Sequence, residues 1–351
     1  MLRIGVNALY LIPGGVGGTE IYLRNLLGAL AEIDSENRYF VFTNLETGAD
    51  LTPAAENFTW VPQRVRATNR PARILWEQFA LPGTIRRHKL SVLLNPGFTA
   101  PLAAGCPMVT VFHDLQSRRH PEYFRWFDLP FWRFLLWGAV RRSRGMITIS
   151  KATSEDLRRY YGVGSEVIYF GVEREFFEAE KRREPGDFIL CPSTTHPHKN
   201  LDRLLRVHRA MADPPPLVIT GVRGFAAAEI EKQAGSSVRF TGWIPRQDLY
   251  ELFRTARGFI FPSTFEGFGM PVLEAMAAGV PVACSDIPPH REVAGSTVHF
   301  FDPLSDDAVA DGLARLCAGT IPTDAAHERA GLFTWEKNAR TTLDYLKRSS
   351  S

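Results

Sequence analysis

The sequence predicts an α/β protein built from two doubly wound domains, each with a parallel β-sheet covered by helices. The chain has 351 residues, more than one hydrophobic core usually supports, so two domains are expected. Short apolar runs alternate with amphipathic stretches in both halves, which is typical of parallel sheets. A charged stretch between Gly171 and Gly186 interrupts this alternation. We therefore place the domains at residues 1–172 and 173–333.

The same alternation predicts the individual elements. In the first half the predicted strands are Leu2–Asn7, Tyr39–Thr43, Ser91–Asn95, Met108–Phe112 and Gly145–Ile149. In the second half they are Asp187–Cys191, Pro216–Thr220, Val238–Thr241, Gly258–Phe261 and Pro281–Ser285. Glu20–Leu30 and the C-terminal residues 334–351 are amphipathic and are predicted to be helices. Ligands of such sheets bind at the C-terminal ends of the strands.

Net charge, cysteine spacing and the N-terminal residues indicate which partners and which cell compartment to expect. The net charge of +3 is too small to indicate nucleic acid, and no nucleic-acid partner is expected. The four cysteines show no C-x-x-C spacing, which favours buried free thiols in a reducing compartment. The N-terminal apolar run fits a first strand that enters a glycine turn, and we expect neither a signal peptide nor a membrane span there.

The most informative stretch runs from Gly258 to Ser285 and is predicted to form a strand, a glycine turn, a helix and a strand. The turn Gly267-Phe268-Gly269 precedes a helix for whose first position Pro271 is suited and which Gly279 ends. Exposed amides and the positive end of a helix dipole favour an anion such as a diphosphate.

Two carboxylates flank this turn. Glu266 lies on the turn and Glu274 is expected in the first turn of the helix, where acceptor-only carboxylates suit sugar hydroxyls. Taken singly, each residue has a second interpretation, since Glu274 would also complement the helix dipole and Glu266 would also fit a solvated loop.

Three further places indicate the same chemistry. A glycine turn containing Gly15 and Gly17 follows the first strand, although such turns are also common without a ligand. Lys199 precedes Asn200, a candidate N-cap, and a cation there costs about 0.3–1 kcal/mol unless an anion is nearby. His113 ends a strand, where it has either a structural or a catalytic role.

The segment E-G-F-G-x-P-x-x-E, followed by A-M-A-x-G-x-P-V, resembles the signature of retaining family 4 glycosyltransferases. These enzymes have the GT-B fold, with two Rossmann-like domains that face each other across a cleft. F-H-D-L, H-P-E-Y-F and W-E-Q-x-x-L-P are similar to segments of the mannosyltransferase B-like branch. The resemblance also implies that the C-terminal helix packs back onto the first domain.

The resemblance implies roles for the candidate residues. Glu274 would hold the nucleotide ribose, while Glu266 and His113 would lie beside the donor sugar and form the catalytic pair. Lys199 would bind the diphosphate, and Ser193 occupies the place where many relatives carry an arginine. The remaining implied donor-binding residues are Gly15, Gly17, Gly221, Trp243, Gly267, Phe268, Gly269, Met270 and Pro271.

The resemblance implies transfer of a hexose with retention of configuration. We expect the reaction to need no metal, since the crevice loops contain no D-x-D pair or Cys/His cluster that would bind one. GDP-mannose is the donor that the branch implies, and a UDP- or dTDP-linked hexose is the alternative. A nucleotide-sugar epimerase shares the two-domain plan but lacks support from a histidine-rich carboxylate site. The first glycine turn is not the G-x-G-x-x-G of a dehydrogenase, and the two carboxylates disfavour a catalytically silent sugar-binding protein.

Residues 118–145 contain the sequence features that indicate an acceptor substrate and a cellular location. This stretch contains seven arginines, two acidic residues and eight aromatic residues. One interpretation is peripheral contact with the inner face of a membrane by a cytoplasmic enzyme that acts on a glycan or lipid-linked glycan. In it, Arg118, Arg119, Arg141, Arg142 and Arg144 face the membrane. The other interpretation is that the aromatic side chains form core and the arginines a solvated face.

Overall fold

The computed structural model describes residues 1–15, 17–224 and 226–350, and the chain divides into two compact units. The first unit comprises Met1–Gly171 with Trp335–Ser351, and the second comprises Val172–Thr334. Each boundary lies one residue from the sequence-based estimate. The charged stretch that we placed at the boundary folds as part of the second unit, because Arg174–Lys181 is a helix that buries Phe176 and Ala179.

The first unit contains a seven-stranded sheet in which all neighbouring strands are parallel. The strands are β1 (Arg3–Ala8), β2 (Arg38–Thr43), β3 (Phe58–Pro62), β4 (Val92–Asn95), β5 (Met108–Phe112), β6 (Gly145–Thr148) and β7 (Glu166–Val167). Their order is β3-β2-β1-β4-β5-β6-β7, so the direction of winding reverses between β1 and β4. The inner strands β4, β5 and β6 are buried at every residue, as parallel sheets covered on both faces require.

Helices and turns connect these strands. The helices are α1 (Gly18–Ile33), α2 (Arg70–Leu75), α3 (Leu81–Arg87), α4 (Gln116–Arg119), α5 (Leu129–Arg142) and α6 (Lys151–Tyr161). A π-helical turn, Trp76–Ala80, joins α2 to α3, and a 3₁₀ turn occupies Pro121–Tyr123.

The second unit contains a six-stranded parallel sheet in the order β10-β9-β8-β11-β12-β13. The strands are β8 (Ile189–Pro192), β9 (Leu217–Thr220), β10 (Val238–Gly242), β11 (Gly258–Phe261), β12 (Val282–Ser285) and β13 (His299–Phe301). The helices are α7 (Arg174–Lys181), α8 (Leu201–Ala210), α9 (Ala227–Glu231), α10 (Arg246–Thr255), α11 (Met270–Ala277), α12 (Pro288–Ala294), α13 (Asp306–Ala318) and α14 (Asp324–Ala330). Winding reverses between β8 and β11, so each unit has the Rossmann strand order.

The last helix, α15 (Trp335–Ser350), packs against α1 within the first unit. It buries Trp335, Ala339, Leu343 and Leu346. The Tyr345 hydroxyl accepts a hydrogen bond from the amide of Met146 at 3.2 Å. A helix that is last in the sequence therefore completes the first unit.

Three strands were not predicted from the sequence. β3, β7 and β13 each lie at the edge of a sheet, where one side of the strand has no neighbour. In β3 only Phe58 is buried, and β7 has only two residues, so neither strand produces the continuous apolar run that marks an inner strand.

The structure contradicts the interpretation that the aromatic side chains of residues 118–145 form core. Five of its eight aromatic side chains are exposed: Trp126, Phe127, Phe131, Phe134 and Trp137. α5 buries Leu135, Leu136, Ala139 and Val140 instead.

The expectation for the arginines needs a correction. Arg119 forms an ion pair with Asp156 at 2.8 Å, and Arg118 donates to the hydroxyl of Tyr161 at 3.2 Å. Both side chains are thus engaged with α6, whereas Arg141 and Arg142 are exposed at the end of α5. Within the described ranges, no helix has the length and apolarity needed to cross a membrane. The four cysteines are free, but only Cys191 and Cys284 are buried.

Candidate active site

Several candidate residues of the second unit lie at the point where the winding of its sheet reverses, between β8 and β11. β8 and β11 are adjacent parallel strands, so the loops that follow them begin at the same edge. The first loop carries Ser193 and Lys199, and the second carries Glu266 and the glycine turn. The topology therefore brings together residues that are far apart in the sequence.

Lys199 and Glu266 form an ion pair across these two loops. The Nζ atom of Lys199 lies 2.6 Å from Oε1 of Glu266, and the two side chains are only 15% and 13% exposed. Burial raises the pKa of Glu266, but the charge and hydrogen bond of Lys199, together with His290 and His198, outweigh this effect and hold the pKa below its usual value. Glu266 is therefore a carboxylate at neutral pH. Lys199 Nζ also lies 5.3 Å from the ring centroid of Phe261.

Asn200 and Thr264 fasten the two loops together. Asn200 adopts a left-handed conformation with φ 57°, and its Nδ2 donates to the carbonyls of Pro262 and Pro303. The amide of Thr264 donates to the carbonyl of His198 at 2.8 Å. The side chain of Asn200 makes no capping hydrogen bond to α8, although the residue occupies the N-cap position that we expected. Its side chain crosslinks the loops instead.

Glu274 is buried in an ion-pair network. The helix α11 begins at Met270, so Glu274 is its fifth residue and lies beyond the first turn in which we expected it. Arg246 binds Oε1 of Glu274 at 2.5 Å and also pairs with Glu173, which accepts a further bond from Tyr250. Burial raises the pKa of Glu274, and the Arg246 guanidinium opposes this shift.

The glycine turn is tightly packed. Gly269 has φ 107° and is the N-cap of α11, with Met270 and Pro271 as the first two helical residues. A Cβ atom at Gly269 would lie 2.9 Å from Cδ2 of His290. Phe268 is buried, with its ring against Phe333. The backbone at this turn thus needs glycine for both its conformation and its close contacts.

Ser193 and Gly221 lie side by side after β8 and β9. A Cβ atom at Gly221 would approach the carbonyl oxygen of Ser193 to 2.5 Å, so only glycine fits. The Ser193 hydroxyl donates to the carbonyl of Thr194 at 3.0 Å. Trp243 follows β10 and is 60% exposed, which leaves its indole available to a ligand.

His113 lies at the end of β5 in the first unit and is buried between aromatic rings. Its Nε2 donates to the carbonyl of Pro96 at 2.8 Å, and the rings of Tyr22 and Phe98 approach at 5.2 and 5.3 Å. Burial lowers the pKa of His113 to about 4, although the bond to Pro96 acts in the opposite direction. The imidazole is therefore neutral at physiological pH.

The first glycine turn precedes α1, which begins at Gly18. Gly17 is the N-cap with φ 56°, and the amide of Gly15 donates to the carbonyl of Ile12. Glu20 accepts from the amide of Gly14 at 2.8 Å, so part of the positive potential of this turn is already neutralised. Val16, in the middle of the turn, lies outside the described residues.

Several contacts of the candidate residues involve side chains that the sequence did not indicate. Arg246 contacts Glu274, and Glu173 in turn binds Arg246, but the local sequence pattern contains no signal for these contacts. Asn200 was recognised only as an N-cap, and its bond to Pro262 in the neighbouring loop was not predicted. Only the position of Arg246, shortly after a strand, marks it as near the site. No cluster of three or more His, Cys, Asp or Glu side chains suited to a metal ion occurs among residues 1–15, 17–224 and 226–350.

Comparison with protein-family models shows which family the chain belongs to. Residues 16–176 match the model described as Glycosyltransferase Family 4, and residues 172–331 match Glycosyl transferases group 1. The chain belongs to glycosyltransferase family 4. It is an enzyme with the GT-B class of α/β fold, and its Rossmann-like units correspond to the two matched domains.

Curated relatives of this glycosyltransferase include enzymes of O-antigen synthesis. The chain is 26% identical over 293 residues to O-antigen chain mannosyltransferase B of Escherichia coli, covering 75% of this chain and 76% of the relative. It is 28% identical over 258 residues to O-antigen chain mannosyltransferase RfbU of Salmonella typhimurium, covering 69% and 71%.

Solved structures share the fold at low sequence identity. Sucrose-phosphate synthase from Thermosynechococcus elongatus superposes with a TM-score of 0.79 at 18% identity, covering 99% of each chain. HepE from Anabaena, solved with UDP and glucose, superposes with a TM-score of 0.76 at 17% identity, covering 99% of this chain and 100% of HepE.

Proposed function

We propose that this glycosyltransferase transfers mannose from GDP-mannose, with retention of configuration, to a hydroxyl of a glycan or lipid-linked glycan in cell-surface polysaccharide synthesis. The observation that carries the proposal is the Lys199–Glu266 ion pair beside the glycine turn at the edge where β8 and β11 end. The two O-antigen mannosyltransferase relatives support the donor and the pathway class. A UDP- or dTDP-linked hexose is the second candidate, since HepE holds UDP and glucose.

Lys199 is proposed to bind the diphosphate of the donor. Its ammonium group has three donors, so it can contact Glu266 and phosphate oxygens together. The amides of the glycine turn, from Gly267 to Gly269, and the start of α11 add positive potential. These groups would stabilise the diphosphate as a leaving group without a metal.

Glu266 and His113 are proposed to act on the transferred sugar. The ionised Glu266 would stabilise positive charge as it develops at the sugar, while the neutral His113 would accept a hydrogen bond. The proposed route is front-face attack, in which the bond to the leaving diphosphate breaks, the bond to the acceptor oxygen forms, and a phosphate oxygen takes the acceptor proton. This route needs no enzyme nucleophile.

A donor panel tests the proposed function directly. Hydrolysis and transfer should be fastest with GDP-mannose among GDP-, UDP- and dTDP-linked hexoses, and activity should survive EDTA. Product release is followed by chromatography of the nucleotide and by NMR of the anomeric proton. Faster turnover of a UDP-sugar would show that GDP-mannose is not the preferred donor. Loss of activity in EDTA that magnesium restores would show that the enzyme needs a metal. An inverted anomeric configuration in the product would exclude retention.

Lys199→Ala should weaken binding of GDP far more than binding of guanosine, because the lysine is proposed to contact phosphate rather than the nucleoside. Calorimetry with both ligands measures the difference. Lys232→Ala removes the same charge from an exposed ion pair with Glu229 and should leave both affinities unchanged. Equal losses for GDP and guanosine in Lys199→Ala would indicate a structural role for the lysine.

Glu274→Gln should weaken GDP binding by about 1 kcal/mol, the difference between a hydrogen bond to a charged group and one to a neutral group, because the ribose exchanges a carboxylate acceptor for an amide oxygen. Calorimetry checks this value. Glu173→Gln removes the other carboxylate that binds Arg246 and is the matched control, with a much smaller expected effect. Unchanged affinity in a folded Glu274→Gln protein would refute the ribose assignment.

Residues 118–145 are proposed to contact an anionic membrane surface. The five exposed aromatic side chains named above adjoin arginines, and Arg141 lies 5.9 Å from the ring centroid of Trp137. Exposed aromatic rings suit the interfacial zone of a bilayer, and each nearby basic residue contributes about 1 kcal/mol at an anionic surface. A cytoplasmic location follows from this proposal, because the anionic leaflet faces the cytoplasm.

Vesicles of anionic lipid test this contact. Flotation should show binding that falls with added salt, since salt screens the charges, and that falls further in Arg141→Glu/Arg142→Glu. Arg64→Glu/Arg66→Glu makes the same change of net charge at exposed positions elsewhere in the first unit and should retain binding. If the parent protein fails to bind at low salt, the membrane proposal is wrong.

A further inference from the structure

The W-E-Q-x-x-L-P segment, residues 76–82, has a structural position that the chemistry described so far does not explain. Its first five residues, Trp76–Ala80, form a π-helical turn between α2 and α3. Such turns are rare, widen the helix by one residue and occur frequently at functional sites. This turn directs two consecutive side chains, Glu77 and Gln78, toward the loop that follows β4.

Glu77 is buried and binds this loop directly. Its Oε1 accepts from Nδ2 of Asn7 at 2.7 Å and from the hydroxyl of Thr99 at 3.0 Å. Its Oε2 has no hydrogen-bond partner among the described residues. Burial raises the pKa of Glu77, although Arg73 opposes the shift. A buried carboxyl group with one unpaired oxygen is unfavourable for stability, so a contribution to stability does not explain why Glu77 lies here.

Gln78 binds the next part of the same loop. Its Nε2 donates to the carbonyl of Ala100 at 3.1 Å, and its Oε1 accepts from the amide of Leu102 at 2.9 Å. Together the two side chains hold the loop at Thr99, Ala100 and Leu102. The π-helical turn is thus a clamp on the loop after β4.

The clamped loop contains a strained residue that contacts His113. Phe98 has φ 68°, a left-handed conformation that is unfavourable for a bulky side chain and persists only where neighbouring contacts enforce it. The Thr99 amide donates to the carbonyl of Gly97 at 2.8 Å, which closes the turn around Phe98. The Phe98 ring meets His113 edge to face, and Pro96 of the same loop accepts the bond from His113 Nε2.

We propose that Glu77 is a positioning residue that fixes the ring orientation and tautomer of His113. The Pro96 carbonyl can only accept, so it places the proton of the neutral imidazole on Nε2 and leaves a lone pair on Nδ1. Glu77 holds Thr99, Thr99 holds the turn at Phe98, and this turn supplies both contacts to His113. The importance of this arrangement for transfer rests on the proposed role of His113 at the sugar.

Nitrogen NMR of protein labelled at histidine reports the tautomer without reference to activity. The parent protein should show His113 protonated at Nε2 alone. Glu77→Ala should show a mixture of tautomers, and Glu77→Gln, which keeps an acceptor oxygen, should restore the parent signal. Trp76→Phe removes the bond from Trp76 to Gln63 on the same turn but keeps the bonds of Glu77 to Asn7 and Thr99, and should leave the signal unchanged.

Thr99→Val deletes the bond to Glu77 with little change of shape, and should reproduce the mixture even if Glu77→Ala fails to fold. Kinetics with the best donor of the panel should then show turnover about tenfold lower in Thr99→Val with an unchanged KM, the pattern of a lost transition-state contact. A parent-like His113 signal in folded Thr99→Val would overturn the positioning role. A mixed signal with normal turnover would confirm the positioning contact and remove His113 from the proposed reaction.

Discussion

The ion pair between Lys199 and Glu266 is the interaction on which the proposed donor site depends. Two opposite charges in a shielded place stabilise each other, and each would be expensive there alone. The pair keeps Glu266 ionised and keeps a cation at the glycine turn before any ligand arrives. Diphosphate binding and stabilisation of the sugar are both proposed to use these two charges, so both depend on the geometry of this pair.

The parallel sheet explains how the pair forms. β8 and β11 are neighbours although they are separated by β9 and β10 in the sequence, so their following loops meet at one edge. Asn200 and Thr264 then bond the loops to each other through backbone carbonyls. These bonds hold the loops together independently of the ion pair, whose Coulombic gain is offset by the cost of removing both charges from water. The second unit thus presents a preformed pair of opposite charges.

The sequence predicted features that depend on local patterns. Continuous apolar runs marked the inner strands, and the spacing of glycine, proline and glutamate marked the turn at Gly269 with Glu266 and Glu274 on either side of it. Lys199 was recognised as a cation in need of an anion, but the anion was assigned only to a ligand. The structure shows that Glu266 neutralises it in the free protein, a contact between residues 67 positions apart.

Features that depend on distant contacts could not be predicted from the sequence. Arg246 follows an ordinary turn, and nothing near it indicates that it binds Glu274. Glu77 was part of a recognised motif, yet its role as a clamp becomes visible only when the loop at Thr99 lies beside it. The aromatic residues of α5 were ambiguous for a similar reason, since only packing decides which side of a helix is buried.

The substitution Glu266→Gln tests the central claim most directly, because it removes one charge of the pair and preserves the shape of the side chain. Freed from Glu266, Lys199 should bind GDP more tightly in calorimetry, while turnover of the best donor falls because the sugar loses its stabilising carboxylate. Tighter GDP binding together with slower turnover would support the proposed roles of Lys199 at the diphosphate and of Glu266 at the sugar. Weaker GDP binding with turnover unchanged would contradict them.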